Sequence, residues 1–493
     1  METLNQLLEI LQYNPKEPMI FSSGIFLMLF LGFTLIYQAL RKKLTARLLF
    51  VTLFSYYFYY KSSGIYFFLL AIVTISDYFI ARTIFNHRDE KRCCGWLIAL
   101  SMFIDLGLLA YFKYTNFFAG MVAQMLGGNF QPWDIFLPVG ISFFTFQSMS
   151  YTIDIYRGAL KPLPSLLDYA FYVSFFPQLV AGPIVRARDF VPQIRKPLRI
   201  TGDMFARGVY FILIGLFKKA VISDYISLNF VDRIFDNPTL FSGGEILLGL
   251  YGYGIQIYCD FSGYSDMAIG IALLLGFKFP MNFNAPYKAD SMSDFWRRWH
   301  ISLSSWIRDY VYISLGGNRH GKIRMYFNQM LSMTLCGLWH GASLNFVVWG
   351  AMHGFLVCVH KFFSQTVMRH DKRYHPQGWR RFLAVFLTFN LLSFTWIFFR
   401  NQDFHLAWVM IQQLFTKFDP LLIPKVLEGY KYVFLMIAFA FVTHWLPDAW
   451  QERIILGLGK AGVFACAFLI VLVIYIVIQV KSSDVQPFIY FQF

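Results

Sequence analysis

The sequence predicts an all-α polytopic membrane protein, and three observations carry that reading. Of the 493 residues, 57% are hydrophobic and only 14% are charged, whereas soluble domains run at about 45–50% apolar and about 25% charged. Apolar runs of the roughly 20 residues needed to cross a hydrocarbon core recur along the chain. Lys and Arg outnumber Asp and Glu by 43 to 28, a net charge of +15, and the surplus gathers between the runs. So much apolar surface, 57 phenylalanines included, does not fit inside a water-soluble globule. The same composition excludes a disordered chain and a fibrous repeat. A basic balance also fits nucleic acid, but in a membrane protein it is what the positive-inside rule produces.

Taken in order, Met1 to Pro18 carries Glu2, Glu9 and Glu17 and lacks the basic-then-apolar order of a signal peptide. The first span is therefore expected to direct insertion. About twelve candidate spans follow, at roughly 19–40, 44–60, 64–85, 95–112, 134–154, 205–222, 244–262, 325–345, 346–366, 381–399, 431–447 and 461–480. Two shorter runs, 168–183 and 264–280, contain Pro177, Gly182 and Pro183 or end at Pro280. Both are expected to be candidates for dipping in and returning, since broken backbone at membrane depth is tolerated where protein or a wet cavity surrounds it. Basic groups follow span one (Arg41, Lys42, Lys43, Arg47), span three (Arg88, Lys91, Arg92), the first short run (Arg186, Arg188, Arg195, Lys196, Arg199) and span nine (Lys361, Arg369, Lys372, Arg373, Arg380, Arg381). All four groups face the cytoplasm if 168–183 does not cross. Residues 223–245, with Asp224, Asp232, Asp236 and Glu245 against Arg233 alone, then lie outside, as does the N-terminus. No fixed-period repeat and no matched pair of broken helices is present in the sequence.

Residues 281–324 break the hydropathy. Ser291 followed by Asp294 reads as a capping-box start. Trp296, Trp299, His300, Leu303, Trp306, Ile307 and Tyr310 recur at steps of three and four, as one stripe of a helix that Gly316 and Gly317 end. Arg297, Arg298, Arg308 and Asp309 fall on other faces. One reading is an interfacial helix, with aromatic anchors and arginines holding lipid phosphate. The other is a pocket wall with His300 in it. The string GGNRHGK at Gly316–Lys322 mimics a phosphate-binding loop, but Ile323 stands where that loop needs Ser or Thr and no strand precedes it.

His340 lies inside the apolar run 325–345, between Trp339 and Gly341. An ionisable residue at membrane depth faces a cavity or a partner. Here the bland partner is a neighbouring helix, packed close through Gly337, Gly341, Ala342 and Ser343. The functional alternative is a neutral imidazole that accepts a proton as a general base. Other catalytic signatures are missing. Neither Gly263–Met267 nor Gly341–Asn345 completes a GxSxG elbow, and His340 and His353 find no third metal ligand nearby in sequence. The six cysteines contain no CxxC and suggest neither a disulfide framework nor a zinc site.

Several long strings resemble the membrane-bound O-acyltransferase (MBOAT) family, in its bacterial alginate O-acetylation and D-alanyl transfer branch. They are PVGISFFTFQSMSYTIDIYRG (138–158), FPQLVAGPIVR (176–186), IQIYCDFSGYSDMAIGIALLLGF (255–277), DFWRRWHISLSSWIRDYVYISLGGNR (294–319) and LWHGASLNFVVWGAMHG (338–354). The resemblance implies the MBOAT fold, with about 11–12 transmembrane helices plus re-entrant and interfacial helices around a central funnel and tunnel. It implies one integral membrane domain over 1–493: N-terminal helices to 280, a cytoplasmic or interfacial active-site segment at 281–324, catalytic-histidine helices at 325–400 and C-terminal helices at 401–493. It matches the family's essential histidine to His340 and its second active-site position to His300.

The activity so implied is transfer of an acetyl or similar short acyl group from a cytoplasmic thioester to a hydroxyl. His340 would be the base, and His300 would orient the acceptor or hydrogen-bond the oxyanion. Trp296, Trp299, Trp339, Ser343 and Asn345 are the expected pocket lining. Arg297, Arg298, Arg308 and Arg319 are the expected donor site, for the phosphates of acetyl-CoA or of an acyl carrier. No bound cofactor and no metal is expected. The expected partners are membrane lipid, the thioester donor, a periplasmic or extracellular acetyltransferase and polysaccharide machinery, without nucleic acid. The expected place is the bacterial cytoplasmic membrane, with the active-site entrance on the cytoplasmic side. A transporter or flippase using His340 as a proton relay is the competing class.

Overall fold

A computed structural model describes residues 10–15, 18–369, 371, 374–401 and 403–480. Glu2, Glu9, Glu17, Lys372 and Arg373 lie outside the described residues. Among those described, the regular structure is helical with no strand. The chain packs as two compact units, Met1–Ile212 with Met267–Pro280, and Leu213–Asp266 with Met281–Phe493.

In the first unit, α1 (Gly24–Ala39) starts at Ser23, whose hydroxyl accepts from the Phe26 amide. Helices α2 (Leu44–Ser63) and α3 (Phe67–Asn86) form one apolar stretch of 43 residues. At 1.5 Å per residue that is about 65 Å, enough for two crossings of a roughly 30 Å core. Gly64, at φ 59°, breaks it between the two expected spans. Helix α4 (Lys91–Leu109) continues apolar to Met125. Helix α5 (Ile141–Tyr156) buries every residue except Ile153 and Tyr156, so protein rather than lipid surrounds it. Its polar residues act as interhelical glue. Asp77 on α3 accepts from Ser101 on α4 at 2.7 Å and from Ser148 on α5, and Ser148 also meets Tyr169 at 2.7 Å. Helix α6 (Leu166–Ser174) is nine residues, broken at Phe175 ahead of Pro177. The 168–183 run is thus too short to cross in helical form, as its prolines suggest.

Helix α7 spans Gly202–Leu216. The second short run is a correction: 264–280 is no separate dip, because α8 runs unbroken from Gly243 to Leu274. Its glycines do not interrupt it; a Cβ on Gly263 would sit 2.7 Å from the Gly215 carbonyl, so they serve close packing instead.

The second unit contains α9 (Met292–Arg298), α10 (Ile301–Trp306), α11 (Gly321–His340), α12 (Leu344–Phe362), α13 (Gly378–Arg400), α14 (Lys431–Trp445) and α15 (Asp448–Val480), the last kinked at Gly462. Two more expectations are corrected here. The stripe at 291–315 is not one helix, since it breaks at Trp299 and His300. The run 325–345 is not one span either; α11 stops at His340 and Gly341 is extended.

Among the described residues, five helical stretches, which cover six of the roughly twelve expected spans, are by themselves long and apolar enough to cross: Leu44–Asn86 (two expected spans), Lys91–Met125, Leu344–Val367, Gly378–Arg400 and Asp448–Val477. A sixth stretch is the pair Pro420–Gly429 and Lys431–Trp445, bent by 91°. The difference has local causes. Helix α1 has only 16 residues, α5 is polar and enclosed, and 325–345 is cut at its histidine.

Candidate active site

The site is built on two helix ends in the second unit. Ser291 caps α9 by accepting from the Asp294 amide at 3.2 Å, the capping start legible in the sequence. Asp294 in turn receives Arg298 at 2.7 Å. The helix then stops. Trp299 is extended and His300 takes the left-handed conformation, φ 43° and ψ 55°. For a bulky residue such backbone costs on the order of 1–3 kcal/mol and persists only where surroundings over-determine it.

Asn282 supplies that constraint. Its carbonyl accepts the Ile301 amide at 2.9 Å. Its side-chain Oδ1 accepts the Ser302 amide at 3.2 Å and the Ser302 hydroxyl at 2.9 Å, and lies 3.1 Å from His300 Nδ1. Its Nδ2 donates to Ser265 Oγ at 3.1 Å. Asn284 adds a second backbone tie, to the Arg298 carbonyl at 2.9 Å. The His300 ring is fully buried, 4.7 Å edge-on from Phe261 and 5.9 Å from Trp339. Burial pushes its pKa down to about 3, so it is neutral at physiological pH.

His340 is the last residue of α11 and is 2% exposed. Trp339, Trp349 and Phe399 stand around its ring at 5.0, 5.2 and 5.2 Å, each at a steep angle. The His300 and His340 ring centres are 6.4 Å apart, with planes inclined at 61°. A helix C-terminus carries partial negative charge, which stabilises an imidazolium formed there. Two glycines fix this end. A Cβ on Gly350 of α12 would lie 2.9 Å from Gly337 Cα, so α11 and α12 touch backbone to backbone three residues before His340. A Cβ on Gly341 would run into the Phe346 ring.

Of the five expected lining residues, Trp339 faces both histidines. Trp296 stands one ring further out from His340, behind Trp349, and Trp299 two, behind Trp396 and Trp349. Trp296 packs on Trp349 at 5.8 Å and Trp299 on Trp396 at 5.4 Å. Asn345 donates to the Asn401 carbonyl at 2.6 Å, tying the start of α12 to the end of α13. Ser343 immediately precedes α12 without a side-chain cap bond. The four arginines divide. Arg298 and Arg308 are occupied by Asp294 and Asp309, at 2.7 and 2.6 Å. Arg297 and Arg319 are exposed.

Asn282, His353, Trp349 and Phe399 were not among the expected site residues. His353 accepts from Trp296 Nε1 at 3.2 Å and donates from Nε2 to Thr395 at 3.0 Å. Its ring lies 4.4 Å from Trp349, which in turn faces His340. Trp349 and His353 fall inside the string 338–354, so a signal for them existed. Asn282 carries no periodicity or motif that marks it.

A buried histidine pair in an aromatic box, with one ring at a helix C-terminus, can bind a hydroxyl and remove its proton while keeping bulk water out. The model of the MBOAT, membrane-bound O-acyltransferase, family matches residues 156–399, which include both histidines. The probable alginate O-acetylase AlgI of Pseudomonas putida is 35% identical over 96% of this chain and 100% of its own. The peptidoglycan O-acetyltransferase of Helicobacter pylori is 37% identical over 79% of this chain and 78% of its own. The teichoic acid D-alanyltransferase of Bacillus subtilis is 31% identical over 54% and 69% respectively. With its apolar helices, this multi-pass membrane chain belongs to the membrane-bound O-acyltransferase family and is an enzyme of the acyltransferase class.

Proposed function

We propose that this acyltransferase moves an acetyl group from a thioester donor to a hydroxyl, in a pathway that O-acetylates an extracytoplasmic polysaccharide. The observation that carries the chemistry is the buried His300–His340 pair, 6.4 Å between ring centres. The acceptor oxygen attacks the thioester carbonyl carbon while His340 takes its proton. The carbon–sulfur bond breaks and the proton returns to the leaving thiolate. His300 orients the acceptor or meets the oxyanion. Enclosure by Trp339, Trp349 and Phe399 suppresses hydrolysis of the donor.

The acetyl group and the polymer acceptor are supported by the names of the relatives, two of which are O-acetylases or O-acetyltransferases of alginate and peptidoglycan. The donor is acetyl-CoA or an acyl carrier entering from the cytoplasmic side of a bacterial cytoplasmic membrane. This is supported by the basic residues around 297–324 and by the loop charges. A periplasmic or extracellular acetyltransferase would complete delivery to the polymer.

The test is purified protein in nanodiscs with a radiolabelled acetyl thioester and candidate acceptors. Covalent transfer is expected, and His340→Ala should lower the rate by about 10²–10⁴. Near-normal transfer by that variant at equal expression sinks the base assignment.

A further inference from the structure

We propose that Asn282 is a positioning residue that locks His300 in the tautomer with its proton on Nδ1, so that Nε2 presents a lone pair. The inference rests on the acyl-transfer reading above and decides between the two roles left to His300 there. The argument is one of hydrogen-bond polarity. A backbone N–H only donates, and the Ser302 amide donates to the Asn282 side-chain atom at 3.2 Å. That atom is therefore the carbonyl oxygen, not the amide nitrogen. The same assignment lets Nδ2 of Asn282 donate to Ser265 Oγ at 3.1 Å.

An oxygen acceptor 3.1 Å from His300 Nδ1 requires that this nitrogen carry the proton. Neutral imidazole has only one, so Nε2 is the accepting nitrogen. A lone pair cannot donate to a developing oxyanion, but it can accept the O–H of the attacking alcohol. His300 Nε2 thus holds the acceptor hydroxyl by its one proton before attack, and that proton passes to His340 as the oxygen bonds to the thioester carbonyl carbon. Asn282 makes no contact with the reacting atoms. It acts through His300, by holding both the tautomer and the left-handed turn at φ 43°.

The titratable and charged groups on the elements packed against His300 are few. His340 lies on α11. On α8, which carries Phe261, Asp260 and Asp266 are paired to Lys219 and Lys218 at 2.6 and 2.8 Å. On α9, Asp294 is paired to Arg298. None of them forces His300 to ionise.

Two measurements on the full-length protein in nanodiscs test the proposal. The first is the ¹⁵N spectrum of histidine-labelled protein, with His300→Gln used to assign the His300 signals. It should show a protonated Nδ1 and an unprotonated Nε2, and Asn282→Leu should lose that preference. The reverse tautomer in the wild type overturns the proposal, and this readout does not depend on any acyl-transfer activity.

The second is Asn282→Asp, which keeps the acceptor oxygen and the backbone tie to Ile301, gives up the Nδ2 donation to Ser265, and places a carboxylate against Nδ1–H and so favours the imidazolium. Relative to wild type, kcat should fall at least tenfold more steeply between pH 8 and pH 6, with thermal stability retained at pH 8. If His300 serves instead as an oxyanion donor, the same variant holds or gains rate at the acid end, and the proposal is wrong. Asn282→Leu guards against a purely structural role: loss of folding there, together with normal folding and the altered pH profile in Asn282→Asp, still supports the proposal.

Discussion

Replacing Gly350 by alanine tests whether the contact between α11 and α12 sets the position of His340, the proposed base. The added Cβ would stand 2.9 Å from Gly337 Cα and 3.0 Å from Gly337 N, and closer still to the Met333 carbonyl. Carbon atoms pack at about 3.5–4.0 Å, so α12 must withdraw from α11 by about 0.6–1 Å. All three obstructing groups are backbone, which cannot rotate away. Overpacking of this kind costs about 1–3 kcal/mol. His340 follows Gly337 by three residues, about 4.5 Å along the helix axis. Its ring is held by Trp349, the residue next to Gly350, so the shift reaches the base with little attenuation. A misplacement near 1 Å costs on the order of 10²-fold in rate.

The assay is steady-state transfer from a labelled acetyl thioester, with donor and acceptor varied separately. The expected result is a kcat lowered about 10- to 100-fold with donor KM within twofold. Gly354→Ala is the comparison, because its Cβ would stand 3.2 Å from Met330 Cα, Met330 Sδ and Met333 Cβ, a milder overlap than the one at Gly350. It should lose less than fivefold. If Gly350→Ala keeps kcat within threefold while its thermal midpoint drops, the helix contact supports the fold but does not aim the base, and the reasoning fails.

Removing the two exposed cations by Arg297→Ala with Arg319→Ala should raise donor KM at least fivefold and leave kcat unchanged; an unaltered KM assigns these side chains to lipid phosphate instead. Thr395→Val leaves the buried Nε2–H of His353 without its acceptor, which should cost about 1–3 kcal/mol in thermal unfolding and disturb His340 only through Trp349. Burial holds His300 near 3 against an ordinary 6.5, so the unfolded chain binds the extra proton first as pH falls. The His300 contribution to stability is therefore complete above about pH 6.5 and is lost progressively down towards pH 3. Thermal midpoints measured against pH should fall less steeply in His300→Gln than in the wild type, and parallel curves refute this.

The membrane class and the helical architecture were legible in the sequence, and the pairing of His300 with His340 was implied by the family resemblance; the way the two rings come to face each other was not legible. Periodicity sees only local spacing. Trp296, Trp299, Leu303 and Trp306 lie at perfectly helical intervals, so nothing within 291–306 announces a break at His300. The break is imposed from outside the segment, by the Asn282 carbonyl on Ile301 and its side chain on Ser302. The other side follows the same logic. Hydropathy runs evenly through 325–345, yet α11 ends at His340, because the chain turns at Gly341 to bring Phe346 against it and Gly350 against Gly337. Inside a continuous helix each histidine would have its direction set by the i±3 and i±4 neighbours of its own helix. At a helix end the following backbone leaves the axis, and residues distant in sequence close around the ring: Phe261 and Asn282 at one histidine, Trp349 and Phe399 at the other. A reaction that needs a hydroxyl held by one imidazole and deprotonated by the next requires that freedom of aim. The two interruptions that hydropathy and periodicity could not reveal are therefore the places to which the proposed chemistry is assigned.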